Sequence, residues 1–219
     1  MKLQVRYVSD GKTGKPTKMN RLLLKENHTS VNLYEKLCLL SEEQVTALDR
    51  GLDWTVQNIP DAVLVGGTAV VYYLSGDREL TPDLDFLVHH LDSVTAKLSE
   101  NNTKYKPLYV GSEDDPGITV EKYNTDYLDD MKGNTELNAL ILGNPEDAII
   151  GSYKINIIQP ELLAIMKLNL GRERDLDDSF ALLGSGKCDP KKFRSYISGL
   201  KNSLDDYDSL VQYEKLIIN

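Results

Sequence analysis

The spacing of apolar residues divides the chain into short strands and helices in mixed order. Leu3, Val5 and Tyr7 alternate with polar residues, as one face of a strand does, and the turn formers of residues 9–16 ahead of 19–24 predict an N-terminal hairpin. Ser41, followed three residues later by Gln44, makes a capping box, and Val45, Leu48, Leu52 and Val56 keep helical spacing as far as Pro60. Residues 62–65 then read as a buried strand, 68–74 as a buried helix ending near Ser75-Gly76, and 83–88 as a second strand.

Beyond these, residues 91–100 have a helical pattern, 104–110 a strand pattern, 113–117 an acidic turn, and 118–123 the alternation of an antiparallel strand. No element is predicted over 124–147. Residues 148–150 and 153–158, separated by Gly151-Ser152, have the pattern of a two-residue hairpin. Pro160 suits the first position of a helix, and ELLAIMKLNL follows it. The boundary Cys188-Asp189-Pro190 precedes Phe193, Ile197, Leu200, Leu204, Tyr207 and Val211 at helical intervals. The expectation is an α/β (α+β) fold in which residues 1–158 form the core, with its N-terminal hairpin and helix, and 159–219 a helical C-terminal subdomain.

Composition narrows the function classes. The 219 residues, 41% hydrophobic and 27% charged, are those of an ordinary globular protein with room for a sizeable core. Twenty-five basic against thirty-four acidic residues give a net charge of -9, which argues against broad non-specific binding of nucleic acid. No N-terminal segment has a basic region followed by an apolar one, and the most apolar region, 62–74, is too short to span a bilayer. Cytoplasmic localisation without membrane contact is therefore expected, with Cys38 and Cys188 as two buried free thiols.

Candidate chemistry centres on residues 63–88. Asp83 and Asp85 are two apart on a predicted strand, so their carboxylates share a face. Paired carboxylates suit a magnesium or manganese ion holding a triphosphate. Gly66 and Gly67, closing the preceding strand, would let phosphate approach the backbone at a helix N-terminus, where Thr68 adds a hydroxyl. A third acid is expected from a neighbouring strand. Glu121 is preferred because Ile118 and Val120 take the core face of its strand, and Asp126 is the competing choice. At helical spacing Lys167, Gly171, Arg174 and Asp178 form one stripe if Gly171 does not end the helix, and Lys167 or Arg174 would then neutralise the outer phosphates.

The order GGTA, Arg78, Thr81 and DLDF, followed by IIQPELLAIMKL and RERDLDD, resembles the signature of the DNA polymerase beta-type nucleotidyltransferase superfamily, in its small AbiEii-like branch of toxin-related proteins. The resemblance covers roughly residues 45–185. It implies a mixed sheet flanked by helices and followed by a helical part. It further implies metal binding by Asp83 and Asp85, triphosphate contact at Gly66, Gly67 and Thr68, and completion of the site by Lys167 and Asp178, the RDxxD motif being matched by Arg174, Asp175 and Asp178. The implied reaction moves a nucleoside monophosphate from a nucleoside triphosphate to an acceptor that is RNA, protein or a small molecule, with an antitoxin protein as a further partner. The sequence departs from the pattern in a longer SGDRELTP segment and in a glutamate where the third acid is usually aspartate.

A rival reading is a catalytically silent relative that binds a nucleotide or a protein. Arg174 and Asp178 also fit a plain surface ion pair, and Lys167 a side chain snorkelling from an apolar helix. His89 and His90 fall on opposite faces of a strand end and make poor joint ligands. Lys187, Lys191, Lys192 and Arg194, with Phe193 and Tyr196 beside them, form the best local basic patch for a polyanion.

Overall fold

The computed structural model describes residues 29–74, 78–80, 83–100, 125–128 and 135–200. The predicted hairpin near the N-terminus, the strands at 104–110 and 118–123, and the end of the last helical region lie outside these residues.

The chain enters through α1 (Val31–Leu37) and α2 (Glu42–Asn58). Ser41 caps α2 by accepting the Gln44 N–H while the Gln44 side chain accepts the Ser41 N–H, the reciprocal box its sequence announces. Strand β1 (Val63–Val65) runs directly into α3 (Gly66–Tyr73), which starts two residues earlier than the apolar pattern indicates. Strand β2 (Leu84–Leu87) and α4 (Leu91–Glu100) follow. The unassigned stretch contains β3 (Thr125–Leu128) and α5 (Thr135–Gly143). Next come the hairpin β4 (Glu146–Ile150) and β5 (Tyr153–Ile157), then α6 (Pro160–Leu170), α7 (Glu173–Gly184) and α8 (Pro190–Gly199).

Among the described residues the strands form one five-stranded mixed sheet in the order β3-β2-β1-β5-β4. Strand β1 pairs antiparallel with β2 and parallel with β5, and β2 pairs parallel with β3. The hairpin turn uses Gly151 at a φ of +62°, where glycine alone carries no Cβ penalty. All three β1 residues are buried, so this strand lies in the interior of the fold.

Helix α6 is buried along almost its whole length, from Pro160 to Leu168, and packs against α3, α5, α7 and α8. A helix apolar on nearly every side belongs inside a core. The buried apolar cluster accordingly runs unbroken from Leu33 through the sheet to Phe193 and Leu200. Gly171, at a φ of +68°, ends α6 in the left-handed conformation, and α7 begins two residues later. The continuous stripe from Lys167 to Asp178 is thereby replaced by a helical hairpin. Its helices run antiparallel, since Ala164 meets Ser179 and Lys167 meets Asp175.

Cys188 is buried and free, whereas Cys38 is exposed, which corrects the expectation of two buried thiols. Among the described residues no helix is long and apolar enough to cross a membrane.

Candidate functional site

Strand β2 and the start of α3 meet at one point. Register pairs Val65 with Asp85, so Asp85 lies beside the residue that follows β1, Gly66. A Cβ on Gly66 would fall 1.8 Å from Asp85 Oδ2 and 2.9 Å from Asp85 Cβ. The carboxylate therefore occupies the volume that any other residue at position 66 would fill with its own side chain. Gly66 also has a φ of +67°, a second reason for glycine there.

Asp83 stands just before β2 and is half-buried. Its carbonyl accepts the buried Thr68 hydroxyl at 2.8 Å, which ties the first turn of α3 to the entry of β2. The Thr68 proton expected to face phosphate thus has a structural partner. Asp83 Oδ1 is itself buried and has no hydrogen-bond partner among the described residues. A buried carboxylate oxygen in that state is costly unless something else meets it. Helix α3 has no side-chain cap, so its first amides are not satisfied by a capping residue.

The helical hairpin supplies the second half of the site. Lys167 Nζ, in the last turn of α6, lies 2.6 Å from Asp175 Oδ1 and 3.1 Å from Asp178 Oδ2, all three groups being buried. A cation at one helix C-terminus and a carboxylate in the first turn of the next suit both helix dipoles. Arg78, on the segment leading into β2, has Nε 2.7 Å from Asp178 Oδ1, poorly aligned for a hydrogen bond, and donates from Nη2 to Oδ2 at 3.1 Å. Arg172 closes the group by donating from Nε to Asp175 Oδ2 at 2.5 Å. Three cations around two carboxylates leave one positive charge in excess.

Burial by itself would push the Asp175 carboxyl up, but hydrogen bonds from Arg172 and Lys167, together with their charges, outweigh it and hold Asp175 below the ordinary aspartate range. The Arg172 guanidinium is shifted up mainly by its bond to Asp175, against a smaller opposing effect of burial. The charges of Asp175, Asp85 and Asp178 add to the rise. The pairing of Arg78, on the segment leading into β2, with Asp178 of α7 makes the two halves adjoin. No protein-family model matches the chain, and no curated protein matches it.

Of the residues singled out from sequence, Gly66, Thr68, Asp83 and Asp85 gather at the α3–β2 junction, and Lys167 and Asp178 gather in the adjoining cluster. Gly67 is half-buried in the first turn of α3. Arg174 is exposed and takes no part in the cluster, because the break at Gly171 rotates it away from Lys167. Glu121 lies outside the described residues. Asp126, on β3, is the direct ladder partner of Asp85. Among the described residues no three His, Cys, Asp or Glu side chains converge as a metal ligand set, so Asp83 and Asp85 are the described part of any such site.

Sequence reasoning missed the parts that Arg78 and Arg172 play. Arg78 lies a hundred positions from Asp178, and no local pattern signals that pairing. Arg172 lies off the stripe that holds only if Gly171 does not end the helix, and Gly171 does end it. The basic patch resolves differently: Phe193 is fully buried and Tyr196 donates its hydroxyl to Gln159 Oε1 at 3.0 Å, while Lys191, Lys192 and Arg194 stay exposed. Helix packing accounts for Phe193. His89 and His90 are both exposed.

Proposed function

We propose that the protein is a metal-dependent nucleotidyltransferase of the polymerase-beta type, moving a nucleoside monophosphate from a nucleoside triphosphate to an acceptor hydroxyl. The observation that carries this reading is the seating of Asp85 against Gly66 at the start of α3, with Asp83 beside it holding a buried, unpartnered carboxylate oxygen. The donor set fits a hard divalent cation, since two carboxylates leave positions open for phosphate oxygen and water. Magnesium or manganese bound there supplies neutralisation of the phosphate charge. Asp83 and Asp85 bind the cation, and the uncapped first turn of α3 offers amide N–H groups to phosphate oxygens. Lys167 and Asp178 hold the adjoining wall in place.

In the reaction the acceptor oxygen bonds to the α-phosphorus, the bond from that phosphorus to the β-bridging oxygen breaks, and pyrophosphate leaves. The hydroxyl proton passes to a carboxylate base. Asp126 is the candidate supported by its register opposite Asp85. A toxin role with a protein antitoxin belongs to the same reading and rests on the sequence resemblance alone. Incubation with labelled triphosphates and a cell extract tests the activity and names the acceptor class, whether RNA, protein or small molecule. Loss of transfer in D83N and D85N is the expected result, and transfer unchanged by both substitutions would overturn the assignment. Magnesium-dependent nucleotide binding without pyrophosphate release, whatever the acceptor, would favour a catalytically silent relative.

A further inference from the structure

Three cations surround Asp175 and Asp178, and they differ in what remains for a ligand. Lys167 Nζ is buried between Asp175 and Asp178. Arg78 is directed at Asp178 through Nε and Nη2, while its Nη1 donates to the Glu79 carbonyl at 3.2 Å. Arg172 alone is open, with a side chain 72% exposed. A guanidinium has five N–H donors in a fixed fork. The Nε donor of Arg172 is taken by Asp175, and the other four have no acceptor among the described residues. Its stem is anchored by a buried carboxylate that Lys167 holds in turn, so the fork is oriented before any ligand arrives.

We propose that Arg172, and not Arg174, is the cation that meets the outer phosphates of the nucleotide, and that Asp175 is the positioning residue that aims it. The inference rests on the nucleotidyltransferase reading of Asp83 and Asp85. Arg172 is linked to the entry of β2 by a chain of contacts, from Arg172 to Asp175, through Lys167 to Asp178, and from Asp178 to Arg78 on the segment ahead of β2, so a polyphosphate held at Asp83 and Asp85 and extending toward α7 would reach a fork with unused donors. Planar, bidentate pairing with phosphate oxygen is what a guanidinium offers and an ammonium does not. Arg174 is exposed too, but no carboxylate of the cluster orients it.

The test is calorimetric titration of the full chain, in magnesium, with each of the four nucleoside triphosphates and with the monophosphate of whichever binds best. The variants are D85N, R172Q, R172K, R174Q and D175N, each titrated well below its own melting transition so that all are folded. R172Q is expected to raise the Kd for triphosphate by about 10-fold or more, as loss of a charge-assisted hydrogen bond does. Its effect on monophosphate should stay within about twofold, because an outer-phosphate contact is absent there. R172K should be intermediate, R174Q should match the parent, and D175N should weaken triphosphate selectively. Normal triphosphate binding by R172Q alongside loss in D85N would overturn the role of Arg172 and leave the metal site standing. Equal weakening of mono- and triphosphate in R172Q would also overturn it, since a general disturbance of the site would then explain the loss. Absence of nucleotide binding in the parent, or binding indifferent to D85N, would remove the underlying reading and this inference with it.

Discussion

Asp85 and Gly66 share one volume: the carboxylate of the strand residue stands where the helix residue would have its Cβ. Substituting Gly66→Ala therefore does two things. It forces a side chain into a positive φ, which costs about 1–2 kcal/mol, and it drives Asp85 out of its seat. A Tm lower by roughly 2–8 °C is expected from the backbone effect, at roughly 2–4 °C per kcal/mol for a chain of this size. Calorimetric scanning measures that drop. Manganese titration of the same variant should show weakened binding, and a G66A protein with unchanged melting and unchanged manganese binding would contradict the close approach.

The buried cluster predicts a contrast between two lysines. Lys167 is enclosed by Asp175 and Asp178, while Lys154 pairs with Asp147 at 2.8 Å on the surface, both side chains about 70% exposed. Removing one partner of a buried ion pair costs about 3–5 kcal/mol, because a carboxylate is left desolvated with less compensation. Exposed pairs are worth about 0–1 kcal/mol. Urea denaturation of K167M and K154M should differ accordingly. Equal, small losses in both would mean that Asp175 and Asp178 are satisfied by the two arginines alone.

Acid should weaken the fold partly through Asp175. Its carboxyl is held below the ordinary range in the folded state, so the unfolded chain takes up the proton first as pH falls. The stabilisation is complete above the unfolded value of about 4 and is lost as pH drops through the lower folded value. Unfolding free energies of the parent and D175N, measured from pH 7 downward, should keep a constant gap until about pH 5 and converge below about pH 4. A gap that narrows instead between pH 6 and 8 would assign the dependence to another group.

Local signals were legible where they were short-range. The Ser41–Gln44 box, the Gly151 hairpin and Pro160 at a helix start each encode their geometry within a few residues, and the mixed helix and strand architecture follows from them. Asp83 and Asp85 were visible as a pair for the same reason. The α6–α7 hairpin shows the opposite case. Helical spacing assigns Lys167 and Arg174 to one stripe, but the φ of +68° at Gly171 reverses the chain, so that Asp175 meets Lys167 and Arg172, not Arg174, shares that carboxylate. The Arg78–Asp178 pair and the seat of Asp85 on Gly66 arise only when the sheet assembles, and no periodicity contains them. Strand β3 escaped because four residues are too few to show a period.

The two cysteines should report the packing of α8 independently of any ligand. The Cys188 thiol is pushed up to about 12, first by burial and then by the neighbouring charge of Glu161, whereas Cys38 is exposed. Only the thiolate reacts quickly with disulfide reagents. Native protein at pH 8 should consume one equivalent of an aromatic disulfide reagent rapidly, and both thiols should react after unfolding. Glu161 Oε1 accepts the Asp189 N–H at 2.6 Å and so fastens the start of α8 to α6. E161Q, which keeps an acceptor there, should leave Cys188 slow, and E161A should expose it. Rapid reaction of both thiols in the native parent would contradict the burial of Cys188.

The identity of the third acid separates two arguments about strands. Alternation along 118–123 favours Glu121, since Ile118 and Val120 would take the core face. The ladder favours Asp126, which stands opposite Asp85 in the parallel pairing of β2 with β3. Adjacent register in a sheet fixes a separation of about 5 Å between backbones, whereas alternation only selects a face. The stronger constraint favours Asp126 under the proposed function. Under the proposed chemistry, D126N should lower label transfer by about 100-fold or more, the scale of losing a general base, and E121Q should remain within a few-fold of the parent. Manganese binding distinguishes the ligand role from the base role, because D126N lowers affinity in the first case and only the rate in the second. Loss of transfer in E121Q with D126N active would return the position to Glu121 and would mean that its strand, and not β3, borders the site.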